Sequence, residues 1–321
     1  MNGNMTKYFL SVFFFLIITT LSSFKAGAPV QQVIQQQKLR TIIIDAGHGL
    51  PDPGAQGEYS NESDITLAVA MDLGKKLQQS LPDCRIVYTR TTRELPNGLK
   101  DKNVANRYRA QMANENHGDL FIAIHVNDAP HPYEKKLEGY RQQTYYTGKG
   151  KSRKKHTRTV PVYKYYKLPG TVNGTETYVW AVGKNDSKQS FVNSNEQEMY
   201  GEKMDSSFEY FDSPEAKILA SLRTQKYFSN SLLVADYVEE EFAKTGRVSH
   251  GVKQRDWEGI WVLQATAMPS ILVETGFICT PSEEDYLNSD KGRDEVSNCI
   301  LNAVLRYKQH LETGADTTAT E

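Results

Sequence analysis

Cysteine is scarce in this chain: Cys84, Cys279 and Cys299 are the three among 321 residues. Odd in number and without paired spacing, they exclude a cysteine-based zinc module and a disulfide scaffold. They read as small buried hydrophobes, with one disulfide in the C-terminal part as the alternative. A surplus of charge of one sign is also missing, since 38 Lys and Arg stand against 39 Asp and Glu. A net charge of −1 gives no global attraction to an acidic membrane and no expectation of a nucleic-acid partner, so partners must be recognised locally. The longest apolar run, residues 9–21, is too short for a confident membrane span, and no wall-anchoring repeat stands out.

That run has a different meaning in its context. Lys7 precedes it and the small residues Ala26-Gly27-Ala28 follow it, which is the pattern of a secretory signal peptide over residues 1–28. The expectation is an exported chain acting in the periplasm or cell envelope, with its mature start between residues 29 and 35 and no stable membrane insertion after cleavage. An uncleaved anchor is the alternative. No cysteine directly follows the run, which excludes acylation at a new N-terminal cysteine. A Gln-rich spacer, residues 29–38, leads into a domain expected at 39–312, and residues 313–321 read as a polar, disordered tail.

Within the domain, apolar strands and helical stretches alternate, which is the pattern of an α/β fold: a single domain with a twisted, mostly parallel sheet flanked by helices. Strands are expected at 41–45, 85–89, 120–126, 175–181 and 270–274. Ile65, Val69, Leu73 and Leu77 predict a helix over 62–80, and Val104, Tyr108 and Met112 predict one over 101–116 with Gly118 as a left-handed cap. Ser213-Pro214 is an N-cap with proline at the first helical position, opening one long helix or two short ones up to Gly246. A last helix is expected over 295–311. Two stretches break the alternation and read as insertions, about 129–172 and 184–212. The first holds the basic run 149–158 and a tyrosine-rich segment; the second is acidic, with Glu196, Glu198 and Glu202.

Two of the seven histidines sit at the carboxyl end of an apolar strand, where open α/β sheets place their ligand sites. They are His48, in Asp45-Ala46-Gly47-His48-Gly49, and His125, at the end of Leu120-Phe121-Ile122-Ala123-Ile124-His125. Glu62 opens the helix after the His48 loop, and its carboxylate can return to the same point, with Asp64 and Glu58 as competitors. Two imidazoles and one carboxylate with an open position form the ligand set of a hydrolytic Zn2+ site. Glu274 ends a third apolar strand, 270–274. A carboxylate there needs a partner, because burying it unpaired costs several kcal/mol, on the order of 2–7. Read chemically, it is the general base that takes a proton from water and gives it to a leaving group. Read structurally, it ends a strand in a salt bridge.

Four blocks in order carry a resemblance: Asp45-Ala46-Gly47-His48-Gly49, Asn61-Glu62-Ser63-Asp64-Ile65-Thr66-Leu67, Ala123-Ile124-His125-Val126-Asn127, and Leu272-Val273-Glu274-Thr275-Gly276-Phe277-Ile278. They resemble the zinc-dependent N-acetylmuramoyl-L-alanine amidases of the amidase_3 type. The resemblance implies His48, Glu62 and His125 as zinc ligands, Glu274 as catalytic base, and peptidoglycan as substrate. The bond cut would join the lactyl group of N-acetylmuramic acid to L-alanine. Leu50 replaces a usual glycine and Ser63 a usual lysine, departures that touch loop shape and not the ligands. Asn127 is a candidate for contacting substrate or orienting a ligand, and Asp45 for supporting His48 from behind. The resemblance further suggests that the 184–212 insertion covers the cleft until an activator protein displaces it. Alternatives are a zinc peptidase cutting within the stem peptide and a catalytically silent wall-binding protein.

Overall fold

The computed structural model describes residues 38–201, 213–255 and 259–314. The expected leader, nearly all of the spacer and the tail beyond residue 314 lie outside them. The strands are β1 (Thr41–Ala46), β2 (Arg85–Tyr88), β3 (Leu120–Asn127), β4 (Tyr133–Thr147), β5 (Lys154–Lys167), β6 (Thr175–Val179), β7 (Ser249–Gln254) and β8 (Ser270–Phe277). The helices are α1 (Glu62–Ser80), α2 (Lys102–Glu115), α3 (Asn185–Gly201), α4 (Pro214–Lys244), α5 (Trp261–Ala265), α6 (Pro281–Asn288) and α7 (Asp290–Thr313).

Six strands form one sheet in the order β2-β1-β3-β8-β6-β7. The first four are mutually parallel; β6 runs antiparallel to β8 and parallel to β7, so the sheet is mostly parallel with a reversed edge. Parallel strands buried on both faces need apolar side chains throughout, and β1 and β8 are buried at every position. Alternation divides those side chains between two layers. Ile42 and Ile44 pack with Ile65, Val69, Leu73 and Leu77 of α1 and with Val296, Ile300 and Val304 of α7. Ile43, Phe121, Ala123 and Leu272 face the other way, against Ala113 of α2 and Val262 and Leu263 of α5. Each isoleucine, leucine, valine or phenylalanine among them, fully buried, stabilises the fold by about 1.5–3 kcal/mol.

The parallel register fixes where the chemistry lies. His125 is level with Glu274, and Ala46 with Ile124, so the carboxyl ends of β1, β3 and β8 open on one edge. The expected α1 matches the observed one, and α4 is one continuous helix capped by Ser213. The last helix starts earlier than its apolar series, at Asp290, because the Ser289 side chain accepts from Gly292 N at 2.9 Å and caps it there. After α2 the left-handed residue is His117 (φ 51°), not Gly118. Gly118 instead provides space: a Cβ there would come within 2.7 Å of Ile43.

The first insertion is a long β4–β5 hairpin, paired with each other and with no other strand of the described residues. The described part of the second is α3, whose Lys188 is fully buried. Its Nζ donates to Leu263 O (2.7 Å), Thr266 Oγ1 (3.1 Å), Met268 O (3.1 Å) and Ser270 Oγ (3.2 Å), and lies 4.3 Å over the Trp180 ring. Burial pulls the pKa of this lysine well below its ordinary value. One end of the acidic insertion is therefore pinned to the segment that runs from α5 into the start of β8.

Candidate metal centre

His48 lies two residues beyond β1 in a left-handed conformation (φ 59°), uncommon for a residue with a side chain and sustained only when its surroundings over-determine it. Two buried arginines do so. Arg109 pairs with Asp45 and donates to Ala46 O and His48 O. Arg90 donates to Ala46 O (3.0 Å) and, through Nη2, to Gly47 O and Ser63 O (both 2.8 Å). Arg90 thus ties the His48 turn to the first turn of α1, where Glu62 sits. The start of α1 is tied back as well, with Glu62 N donating to Ala55 O (2.9 Å) and Ser63 N to Pro53 O (3.0 Å).

Glycine is required where this packing is tightest. A Cβ on Gly47 would come within 2.5 Å of the His125 ring, and one on Gly54 (φ 70°) within 2.5 Å of Glu62 Oε2.

Three side chains converge as a result. Glu62 Oε1 lies 2.8 Å from His125 Nδ1 and accepts from Val126 N at 3.1 Å. Its Oε2 lies 3.2 Å from His48 Nε2 and accepts from Ala55 N at 2.8 Å. His48 Nδ1 meets Asp52 Oδ2 at 2.9 Å, which leaves Nε2 to face the centre. One donor atom from each of His48, Glu62 and His125 lies within 4.8 Å of the others, the one such group among the described residues. Burial alone would raise the pKa of Glu62, but hydrogen bonds and charge from His125 and His48 outweigh it and hold the carboxyl far below its usual range. For His48, burial opposes the charged form, yet Glu62 and Asp52 prevail and push it up to about 9.

Glu274 lines the same cleft, of about 570 Å³, together with Asn127, Arg255 and Trp261. It is buried, and its Oε2 has no hydrogen-bond partner among the described residues. Burial, reinforced by the charge of Glu62, pushes its pKa up to about 8. The salt-bridge reading of this strand end finds no ion pair among the described residues. Its antiparallel neighbour, Glu176, is the opposite case, because Tyr178 Oη (2.8 Å), Asn127 Nδ2 and Lys253 Nζ all donate to it.

Asp45, expected to support His48 from behind, pairs with Arg109, which in turn donates to His48 O. Asn127 has its amide committed to Glu176, and its Oδ1 accepts from Asp128 N at 2.9 Å. Of the competing carboxylates, Asp64 pairs with Arg93 (2.8 Å) and Glu58 joins no donor group, so of these three Glu62 alone joins both histidines. Sequence reasoning passed over Asp52, Arg90, Glu176 and Glu284. Glu284 is fully buried and accepts from the backbone N–H of Glu58 (2.7 Å), Tyr59 (3.0 Å) and Ser60 (2.8 Å), fixing the loop that leads into Glu62. Only Asp52, four residues from His48, carried a local signal. The lid expectation named Glu196, Glu198 and Glu202, which fall outside the described side chains; the described part of α3 packs against α4 and α5.

The donor set suits a metal: two imidazole nitrogens and a carboxylate oxygen with an open side are what hydrolytic zinc takes, and a partnerless Glu274 oxygen lines the same cleft. A family model described as Amidase_3, N-acetylmuramoyl-L-alanine amidase, matches residues 42–306. An uncharacterized protein of Bacillus subtilis, YqiI, is 23% identical over 280 residues, spanning 87% of this chain and 90% of that protein. The germination-specific N-acetylmuramoyl-L-alanine amidase of the same organism is 24% identical over 84% of this chain and 79% of its own length. Among solved structures, an N-acetylmuramoyl-L-alanine amidase from Clostridium difficile 630 has a TM-score of 0.50 at 20% identity, covering 87% of this chain and all of that one. At that identity the likeness speaks to the fold.

Proposed function

Since the chain belongs to the Amidase_3 family of N-acetylmuramoyl-L-alanine amidases, we propose that it is an exported zinc hydrolase that separates the stem peptide from the lactyl group of muramic acid in peptidoglycan. The observation that carries this reading is the convergence of His48, Glu62 and His125 in a cleft that also holds the unpartnered carboxylate of Glu274.

His48 through Nε2, Glu62 and His125 through Nδ1 would hold the ion. Zinc, when bound, supplies Lewis acidity that polarises the scissile carbonyl and acidifies water toward a pKa of about 7. Asp52 keeps the His48 Nδ1 proton, so that Nε2 presents its lone pair inward. Glu274 takes a proton from the attacking water and delivers it to the departing alanine nitrogen. Burial without a partner suits that role, since it brings the carboxyl into the range where it both accepts and donates near neutral pH. The products are a lactyl carboxylate on the glycan and a free α-amine on the peptide.

The test is release of intact stem peptides from purified peptidoglycan by wild type and Glu274→Ala, with zinc content measured in both. Loss of release in the variant with zinc retained supports the assignment. Shortened peptides would favour the peptidase alternative, and binding without release by zinc-loaded wild type and by the chain lacking residues 194–211 a silent wall-binding protein.

Export rests on the leader-like residues 1–28 and is tested by N-terminal sequencing of the envelope form. Restraint by the 184–212 insertion, relieved by an activator protein, is the remaining part of the proposal. Removing residues 194–211 keeps the Lys188 anchor and should raise turnover of the isolated enzyme; unchanged or lower turnover with zinc retained would count against it.

A further inference from the structure

Charge is segregated in this molecule. Residues 133–167 hold eleven lysines and arginines against two glutamates, a net of +9 within a chain whose net charge is −1. They form the β4–β5 hairpin, whose side chains are almost all exposed. Its register sorts them by face. Tyr133, Lys135 and Leu137 stand opposite Lys167, Tyr165 and Tyr163, and a bulge between Leu137 and Gly139 shifts the alternation so that Tyr140 and Tyr146 join the same side. That face presents five tyrosines, at Tyr133, Tyr140, Tyr146, Tyr163 and Tyr165, from 41% to 68% exposed. Cations sit among them, with Lys135 Nζ 3.7 Å over the Tyr163 ring and Arg153 4.1 Å from that of Tyr146. Neither face builds a core, so folding alone does not account for this composition.

The reaction assigned above supplies a matching partner. Each hydrolysis converts an uncharged amide on the glycan into a carboxylate and removes the peptide. The product strand is linear, offers sugar rings with apolar faces, and carries an anionic group at every muramic residue from which a peptide has been cut. The tyrosines run the length of a ladder about 45 Å long at roughly 3.3 Å per residue. The arm also leaves from the right place. β4 begins six residues after Asn127 at the cleft. The returning Gly170 N donates to Cys279 O at 2.9 Å, five residues past Glu274.

We infer that the β4–β5 hairpin is a binding arm for the peptide-free glycan strand, the product of the proposed amidase, with the tyrosine face stacked on sugar rings and the lysines and arginines meeting the freed lactyl carboxylates. This rests on the amidase reading. It keeps the enzyme on a strand between successive cuts.

The test uses the full mature chain, soluble peptide-free glycan strands and a soluble disaccharide-peptide substrate. Two variants are compared with wild type: Tyr140→Ala/Tyr163→Ala/Tyr165→Ala, and Lys135→Gln/Arg153→Gln/Lys155→Gln, whose cations lie on or over the tyrosine face. Each should weaken strand binding by about tenfold or more while hydrolysis of the soluble substrate stays within about twofold. If the tyrosine variant does not fold, the charge variant decides alone. The inference is overturned if wild type does not bind the strands, if every folded variant binds them as wild type does, or if phosphatidylglycerol vesicles or single-stranded DNA bind wild type more tightly. Failure of the amidase reading shows separately, as no release of stem peptide from the soluble substrate by zinc-loaded wild type and by the zinc-loaded chain lacking residues 194–211.

Discussion

Two carboxylates share the cleft and live in opposite surroundings. Glu62, on the β1–α1 side, faces both histidines and accepts two backbone N–H groups, so its charge is fully compensated. Glu274, on the β8 side, is equally withdrawn from water and has an oxygen with no partner among the described residues. The first is held ionised and the second is pushed toward its protonated form. Two acids of nearly the same intrinsic strength are thus assigned different work by their surroundings, one as a ligand and one as a proton carrier.

The contrast is broken most severely at Glu62. Glu62→Ala should leave a chain that folds but retains no zinc after gel filtration, with peptide release at background; metal analysis beside the activity assay checks it. Glu274→Gln tests the other side. It should hold zinc as wild type does and lose about 10²- to 10⁴-fold in kcat, the usual contribution of general acid–base catalysis. If zinc is lost with the activity, Glu274 is a ligand and the two roles collapse into one.

Smaller changes sharpen the comparison from behind the ligands. Asp52→Asn should weaken zinc binding or activity by about 10- to 100-fold, because the His48 ring loses the acceptor that fixes its tautomer. Competition with a chelator of known affinity measures it. Glu284→Gln acts one step further out, on the loop before Glu62, and should cost about 1–3 kcal/mol as backbone donors lose their acceptor. Burial raises the pKa of Glu284, but its N–H and hydroxyl donors bring it below 4.5. Its stabilisation is therefore complete above that value and lost as pH falls through the lower folded pKa. Thermal melts should separate variant and wild type at neutral pH and converge in acid; an equal gap throughout would show that the charge of Glu284 is not what holds the loop.

How much of this was legible in the sequence follows from the same physics. β1, β3 and β8 are buried on both faces, so they stand out as apolar runs, and the polar residues at their ends stand out against them. Glu62–Ser80 was readable because its apolar stripe has helical spacing. The hairpin was not: with both faces exposed, its tyrosines, lysines and threonines alternate without an apolar side to reveal the period. β7, half-exposed at the sheet edge with Gly251 at φ 75°, hid for the same reason. Lys188 lies in a polar helix and looks solvated, and nothing local announces the four acceptors that bury it. Glu284 serves a loop more than 220 residues away, a partnership that only the fold creates.

The split between the two carboxylates is tested most directly by anomalous scattering at the zinc edge from crystals of the metal-loaded enzyme. The account predicts one peak bounded by His48, Glu62 and His125, with Glu274 in the cleft beside it and outside bonding distance. A peak ligated by Glu274, or one lying away from the two histidines, would contradict it.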